Sequence, residues 1–384
     1  MTTTINNEHK KLNVPNLRFP EFQGEWEKTK FGDIATGFDY GMNAAAKNYD
    51  GENKYIRITD IDEASSTYTD KDIVSPDGIL TDNYLVNNRD ILLARTGAST
   101  GKSYLYKKTD GKLYFAGFLI RANVTTHDPY FVFSQLHTHR YWRWVSIMSA
   151  RSGQPGINSQ EYSSFPIYIT SIEEENKIAK LLSLLDERIA TQNKIIDKLQ
   201  SLIKGIRNEV FGKLRKNIGF NAVVGDVLDY EQPQSYIVEN TEYTNEGTPV
   251  LTANKAFVLG YTLETDGIYD KGDCIIFDDF TLDCKYVDFP FKVKSSAIKI
   301  LTAKNKELLH YTFEFLKYLD LSTEEHKRHY IAETQNQEFI MPTEQMVKTI
   351  AHIFSTLSLR METAVKQRDV FDKQKQYLLR QMFI

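Results

Sequence analysis

The chain has 384 residues, of which 41% are hydrophobic, and a formal net charge of −4. This length predicts two or three domains, and the weak negative charge argues against a protein that coats nucleic acid non-specifically. Without a signal peptide or an apolar run long enough to span a membrane, we expect a soluble cytoplasmic protein whose two cysteines, Cys274 and Cys284, stay reduced and bind no metal.

The first predicted domain opens with an aromatic arm punctuated by proline, residues 14–26. Runs typical of strands follow, separated by Gly, Asp and Asn turns, at residues 54–59, 90–94, 103–106 and 113–124. Residues 130–148 are predicted to form one helix. The second predicted domain repeats this order, with strands near 249–252, 274–277 and 297–301 and a helix near 306–319.

Charge is unevenly distributed along the chain. Residues 1–170 carry 19 basic and 19 acidic side chains, whereas residues 217–342 carry 11 and 21. Each domain nevertheless contains one locally basic segment, with ten basic against three acidic residues in 89–151 and six against one in 285–306. A solvated surface would explain one such segment, but two in related positions favour surfaces that face DNA.

A glycine-rich loop, Gly97-Ala-Ser-Thr-Gly-Lys-Ser103, follows the apolar run 90–94. A phosphate-binding P-loop has four residues between its glycines and is followed by a helix. Here there are three, and the next residues are typical of a strand. The pattern therefore argues against nucleotide binding, while Arg95 and Lys102 remain able to contact a DNA phosphate or base edge.

Residues 171–212 carry the strongest periodicity, two interleaved columns of a seven-residue repeat. The columns are Ile178, Leu185, Gln192, Leu199, Ile206 and Leu182, Ile189, Ile196, Ile203, Val210. Nine of these ten positions are apolar, as in a coiled coil. The helix would be roughly 60 Å long, more than one core needs. This length favours a rigid spacer between domains over a long core helix.

The end of the chain repeats this helix. An offset of 172 aligns Ile178-Ala179 with Ile350-Ala351, and a similar pair of columns follows. One column of the second helix is interrupted by Arg368 and Lys375, so we expect the seam between the helices to loosen there.

The globular parts repeat too, since Phe31-Gly-Asp-Ile34 matches Val224-Gly-Asp-Val227 at an offset of 193. The order is therefore domain, helix, domain, helix, and the second helix must run antiparallel to pair with the first. We predict a mixed α/β fold with two pseudo-repeated domains joined by two long helices that form an antiparallel coiled coil. The predicted segments are a first domain at 1–170, a central helix at 171–214, a second domain at 215–342 and a C-terminal helix at 343–384.

Two further patterns suggest catalysis but are incomplete. Asp128-Pro129-Tyr130 resembles the Asp-Pro-Pro-Tyr of amino-methyltransferases, but it lacks one proline and no early strand is followed by a glycine-rich cofactor loop. Asp283-Cys284-Lys285 has the spacing of many Mg²⁺ nucleases, with Asp270 or Asp273 upstream, a spacing that arises readily in an acidic domain.

Several of these motifs together resemble the specificity subunits of type I restriction-modification systems. They occur in order along the chain as Leu17–Trp26, Asp90–Ser103, Glu174–Ala179, Leu184–Ile189, Pro249–Lys255, Gly272–Phe280 and Ser295–Ile298. The second helix departs from the family pattern, with Thr349 before Ile-Ala and Ser358-Leu359 in place of Asp-Glu.

The resemblance implies a subunit that has no catalysis and binds no cofactor of its own. Two target-recognition domains would each read half of a split, asymmetric DNA sequence. Two methyltransferase subunits that use S-adenosylmethionine would dock on the helices and methylate adenine, and two motor-nuclease subunits that use ATP and Mg²⁺ would join for restriction. Two alternatives stay open. One is a related two-subunit system with a fused methylase and nuclease, and the other is a nuclease that uses Asp283 and Lys285.

The candidate site residues form two groups. The candidate DNA contacts are Arg95, Thr96, Ser99, Lys102, Arg57, Gln154 and Asn158 in the first domain and Asn254, Lys255, Lys285 and Lys292 in the second. The candidate contacts to the methyltransferase subunits are Leu185, Ile189, Ile196, Leu357 and Met361.

Overall fold

The computed structural model describes residues 12–150, 155–253, 256–321 and 329–384. The chain divides into two compact units. Unit 1 comprises Met1–Gln192 and Gln367–Ile384, and unit 2 comprises Asn193–Lys366. Each unit thus contains a globular part and one half of each long helix. The predicted four-segment division cuts the chain at the helix ends instead, and it stays a prediction.

The elements of unit 1 alternate between short strands and short helices. The strands are β1 (Glu27–Lys30), β2 (Ala35–Tyr40), β3 (Ala45–Asn48), β4 (Lys54–Ile56), β5 (Val74–Asp77), β6 (Asp90–Ala94), β7 (Ser103–Leu105), β8 (Leu113–Phe115), β9 (Leu119–Val124) and β10 (Pro166–Ile169). The helices are α1 (Phe31–Ile34), α2 (Pro129–Gln135), α3 (His139–Ser149) and α4 (Ser159–Ser163), followed by the long α5 (Ile172–Asn217).

The elements of unit 2 follow a similar order. The strands are β11 (Ala222–Val223), β12 (Leu228–Glu231), β13 (Thr248–Leu251), β14 (Val258–Thr262), β15 (Cys274–Asp278), β16 (Cys284–Val287), β17 (Lys292–Val293), β18 (Ile298–Ala303) and β19 (Glu338–Phe339). The helices are α6 (Val224–Val227), α7 (Leu309–Leu319) and the long α8 (Glu344–Gln381).

The two units share one sheet topology. An antiparallel sheet has the order β2-β9-β6-β7 in unit 1 and β12-β18-β15-β16 in unit 2. The central strands β6 and β15 are mostly apolar and are buried along their whole length, as expected for strands covered on both faces. A parallel pair accompanies each sheet, β4 with β8 and β13 with β17. The internal repeat predicted from the sequence is thus a repeat of structure.

The long helices pack antiparallel within each unit. In unit 1 the Lys375 ammonium lies 2.5 Å from Asp186, and the Arg188 guanidinium lies over the Phe371 ring. In unit 2 the Phe211 ring, near the end of α5, stacks on Phe354, near the start of α8. The mixed α/β fold with two long paired helices is therefore confirmed.

One interruption of the helix seam has a partner. Lys375 breaks an apolar column, but its ammonium pairs with Asp186 of α5, and both side chains are largely buried. The other, Arg368, pairs with its neighbour Asp369 on the helix surface. The charged residue in the column thus contributes an ion pair to the seam at this position.

The predicted helix over 130–148 is wrong, because the chain forms two helices there. Asp128 caps α2, since its carboxylate accepts hydrogen bonds from the amides of Tyr130 and Phe131. Thr138 has an extended backbone and caps α3 through the amide of Tyr141. The Asp-Pro-Tyr motif is therefore an N-cap followed by proline at the first helical position.

The aromatic arm packs on unit 1. Arg18 forms a two-pronged ion pair with Glu174 in the first turn of α5, and the amide of Leu17 donates to the carbonyl of Gln381 in α8. Trp26 is buried between Phe131 and Phe383. Within the described parts of the chain, no helix combines the length and apolar character that crossing a membrane requires.

Candidate nucleic-acid interface

The glycine-rich loop joins β6 to β7 at the edge of the unit 1 sheet. Gly101 has φ +94°, and a Cβ there would lie 2.8 Å from a methyl group of Val145, so both backbone conformation and space favour glycine. The loop contains one short helical turn, Gly97–Ser99, and leads into a strand rather than a helix. It therefore lacks the helix N-terminus of a P-loop.

Arg95 is the first residue after β6, and its side chain has a fixed position. Its Nε donates a hydrogen bond of 3.0 Å to the carbonyl of Gly117. The guanidinium carbon lies 4.9 Å from the centre of the Tyr40 ring and 5.8 Å from that of Phe118. Both rings are largely exposed, Tyr40 at 45% and Phe118 at 60%. A cation between two exposed aromatic rings is thus presented at the surface of unit 1.

Arg95 and Arg57 line the same cleft of about 580 Å³. The cleft also includes Tyr40, Tyr55 and Phe118. Arg57 is engaged inside the protein, because its guanidinium donates to both carboxylate oxygens of Asp60 and to Asp72. The hydrogen bonds that Arg57 donates to Asp60 raise the pKa of Arg57 above its ordinary value. Two predicted DNA contacts, Arg95 and Arg57, thus line one cleft, but Arg57 is already paired with carboxylates of the protein.

The other predicted contacts of unit 1 surround this loop. Thr96 pairs in a β-bridge with Gly156, and the carbonyl of Ser99 accepts from the amide of Lys102. The Lys102 ammonium lies 3.1 Å from the exposed Glu63. Asn158 caps α4 through the amide of Glu161, which is a structural role. Gln154 lies outside the described residues.

The predicted contacts of unit 2 are less accessible. Lys292 is only 3% exposed, and its ammonium donates to the carbonyl of Asp266 and pairs with Glu264 at 2.8 Å. Lys285 lies 3.3 Å from Asp283. Asn254 and Lys255 lie outside the described residues. The paired, buried position of Lys292 favours a structural role.

The two units differ at the position of Arg95. In the repeated sheets, the amide of Arg95, just after β6, donates to the carbonyl of Phe118, and the amide of Asp279, just after β15, donates to the carbonyl of Ala297. The carboxylate of Asp279 is buried, accepts hydrogen bonds from the amides of His329 and Tyr330, and lies 3.3 Å from the ammonium of Lys299. Unit 2 thus has a carboxylate where unit 1 has a surface cation.

The acidic residues of the nuclease-like pattern do not converge. Burial raises the pKa of the Asp283 carboxyl, but the ion pairs with Lys317, at 2.8 Å, and with Lys285 lower it more. The pKa of Asp283 therefore lies below its ordinary value. Asp273 instead accepts a hydrogen bond from Tyr286. In the described segments, no cluster of three or more His, Cys, Asp or Glu side chains is arranged to hold a metal ion.

The predicted partner contacts lie in the seam between the helices. Leu185 and Ile196 are buried, and the half-buried Leu357 and Met361 pack on the core of unit 2. Ile189 is half-buried. The same chain thus largely covers these side chains, because each column of one helix packs on the other helix.

Sequence reasoning missed a second set of apolar residues on the outer faces of the helices. These exposed residues are Leu184, Ile195, Leu202, Met346, Ile353, Leu359, Val370 and Tyr377. Ile195, Leu202 and Ile353 each directly precede a residue of an apolar column. Apolar residues just outside the columns were the signal that could have identified them.

Comparison with known proteins points to one family. Residues 23–201 match the family model of the type I restriction modification DNA specificity domain. The specificity subunit of type I restriction enzyme EcoR124I/EcoR124II from Escherichia coli is 45% identical over 126 residues, which are 31% of each chain. That of type I restriction enzyme MjaVIII from Methanocaldococcus jannaschii is 27% identical over 198 residues, 51% of this chain and 44% of that one. The alignments therefore span about a third to a half of the curated relatives.

A solved structure extends the likeness of fold to almost the whole chain. The S subunit of a type I restriction-modification system from M. genitalium superposes with a TM-score of 0.70 over 97% of this chain and 99% of that one. The two sequences are 15% identical, so this likeness concerns the fold alone.

Proposed function

We propose, on the premise that residues 23–201 belong to the type I restriction-modification DNA specificity domain family, that this chain is the DNA-recognition subunit of such a system. One observation carries the proposal. The sheet order of unit 1, whose sequence matches the family, occurs again in unit 2, and each globular part is followed by a long helix. If each unit reads one half of the DNA site, two units of similar fold but different sequence would recognise a site whose two halves differ.

The subunit itself performs no chemistry in this proposal. Two methyltransferase subunits that use S-adenosylmethionine dock on the helices and methylate adenine, and two motor-nuclease subunits that use ATP and Mg²⁺ join them for restriction. The exposed apolar residues of α5 and α8 support docking, because such residues are typical of surfaces that a partner covers. In unit 2 they include Met346, which lines an apolar groove of about 590 Å³ with Val210, Leu214 and Ile350.

The experiment is co-expression of the chain with the methyltransferase subunit of its own system, followed by mapping of methylated adenines. We expect methylation only when both are present, at a site with two specified halves and an unread spacer. The matched controls are each subunit alone, tested with S-adenosylmethionine and with Mg²⁺. Methylation or cleavage by this chain alone, or a complex that methylates without sequence preference, would contradict the proposal.

A further inference from the structure

We propose that Arg95, held between Tyr40 and Phe118, reads one guanine in the half-site bound by unit 1. This inference rests on the proposed function and deepens it by naming a base and the residue that recognises it. A guanine presents two acceptors, O6 and N7, in the major groove, and the two terminal nitrogens of an arginine match them.

The guanidinium is fixed before DNA arrives. Its Nε is bound by the carbonyl of Gly117, whose own amide donates to the carbonyl of Met42 at 2.8 Å. A Cβ on the neighbouring Gly41 would lie 2.2 Å from the carbonyl oxygen of Ala116, so these backbone segments pack without room for adjustment. A fixed guanidinium loses little conformational freedom on binding, which favours a directed, two-pronged contact.

The terminal nitrogens of Arg95 are available for such a contact. Among the described residues, none accepts a hydrogen bond from them and no carboxylate pairs with them. Other arginines of unit 1 are engaged, Arg57 by Asp60, Arg121 by Asp39 and Arg89 by the carbonyls of Val124 and His127. Arg95 lines a surface cleft together with the exposed Tyr40 and Phe118, so a base edge can approach it there.

Unit 2 has no arginine at the position that corresponds to Arg95. Asp279 takes the corresponding position in unit 2, where its buried carboxylate accepts hydrogen bonds from the amides of His329 and Tyr330. An arginine contact to guanine at this position is therefore restricted to the half-site of unit 1.

The test uses the complex with its methyltransferase subunits and synthetic duplexes that carry the mapped site. In wild type, replacing one guanine by 7-deazaguanine, which lacks N7, should weaken binding at a single position. Arg95→Ala should weaken binding to the intact site roughly 5- to 150-fold, and the 7-deazaguanine duplex should then bind no more weakly than the intact one. Arg95→Lys keeps the charge but not the planar fork, and it should not restore discrimination.

Two further variants test the surroundings of Arg95: Phe118→Leu, and Arg143→Ala as a control. Phe118→Leu removes one flanking ring and should reduce the same discrimination, whereas Arg143 is exposed on α3 away from the cleft and should leave it unchanged. An equal loss on all sequences with a shallower salt dependence, or rescue by Arg95→Lys, would place Arg95 on a phosphate and overturn the inference. A wild-type complex without a preferred site would instead overturn the proposed function.

Discussion

At the scale of single residues, His137 is a neutral base inside unit 1. Its Nδ1 lies 2.9 Å from the carbonyl of Phe133, and its Nε2 lies 3.0 Å from the hydroxyl of Ser66. Burial, and then the charge of Lys375, lower the pKa of His137 to about 4. The neutral imidazole can donate to the carbonyl and accept from the hydroxyl, whereas a protonated ring could not accept.

This pKa predicts a loss of stability in acid. The unfolded chain binds a proton at His137 near pH 6.5, but the folded unit does so only near pH 4. Stability is therefore complete above pH 6.5 and falls as the pH drops from 6.5 to 4, by about 1–2 kcal/mol at pH 5. All three tryptophans (Trp26, Trp142 and Trp144) lie in unit 1, so urea unfolding followed by their fluorescence reports this unit. His137→Gln should reduce the difference between pH 7.5 and pH 5, and an unchanged difference would contradict the assignment.

The candidate contacts illustrate what decides the role of a charged residue. Arg57, Lys292 and Arg95 are alike in the sequence, since each is a cation beside a strand. Asp60 and Asp72 bind Arg57, and Glu264 and Asp266 bind Lys292, so these cations satisfy the protein's own groups. Arg57 and Lys292 differ from Arg95 because the fold, among the residues that the structure describes, places carboxylates beside them and none beside Arg95.

At the scale of elements, α5 has two apolar faces, one buried and one exposed. Leu182 is fully buried in the core of unit 1, whereas Leu184, two residues later, is 46% exposed. The two leucines lie on different sides of the helix because successive residues are about 100° apart.

Leu182→Ala and Leu184→Ala should therefore affect different properties, the first stability and the second association. Leu182→Ala leaves a cavity in the core and should destabilise unit 1 by about 2–5 kcal/mol. Leu184→Ala should change stability by less than about 0.5 kcal/mol but weaken association with the methyltransferase subunit. Tryptophan fluorescence during unfolding measures the first effect, and co-purification with the partner measures the second. If Leu184→Ala left the complex intact, this face of α5 would not be the docking surface.

At the scale of the whole molecule, the proposal makes helix length the determinant of the unread spacer. Both long helices pass from one unit to the other, α5 after Gln192 and α8 after Lys366. Adding seven residues after each of these positions lengthens each helix by roughly 10 Å while both apolar columns stay in phase.

The lengthened subunit should move the half-sites apart. DNA rises 3.4 Å per base pair, so about three more pairs are expected between the methylated halves. Those pairs also rotate one groove relative to the other, so some loss of activity should accompany the shift. Methylated adenines mapped with the wild-type partners measure the spacer. A single two-residue insertion in α5 is the control, because it turns the later part of both columns by about 200°, away from α8, and should abolish activity. An active complex with the original spacer, or with changed half-sites, would contradict the proposal.

The sequence by itself determined the features that depend on neighbours along the chain. The heptad columns predict both long helices, because a helix buries every third or fourth residue whatever its partner. The matches at Phe31–Ile34 and Val224–Val227 indicate the repeat, and the apolar run at 90–94 indicates the central strand of the first sheet.

Only the tertiary structure decided which of these residues are available for binding. The cleft joins Tyr40, Arg95 and Phe118, which lie up to 78 positions apart in the sequence. The seam between α5 and α8 buries Leu185 and Ile196 and leaves Leu184 and Ile195 exposed. Thr138 divides a continuous apolar pattern into two helices by capping the second. The cap at Thr138 is a local contact, but the cleft and the seam depend on contacts between residues distant in sequence, which local periodicity does not record.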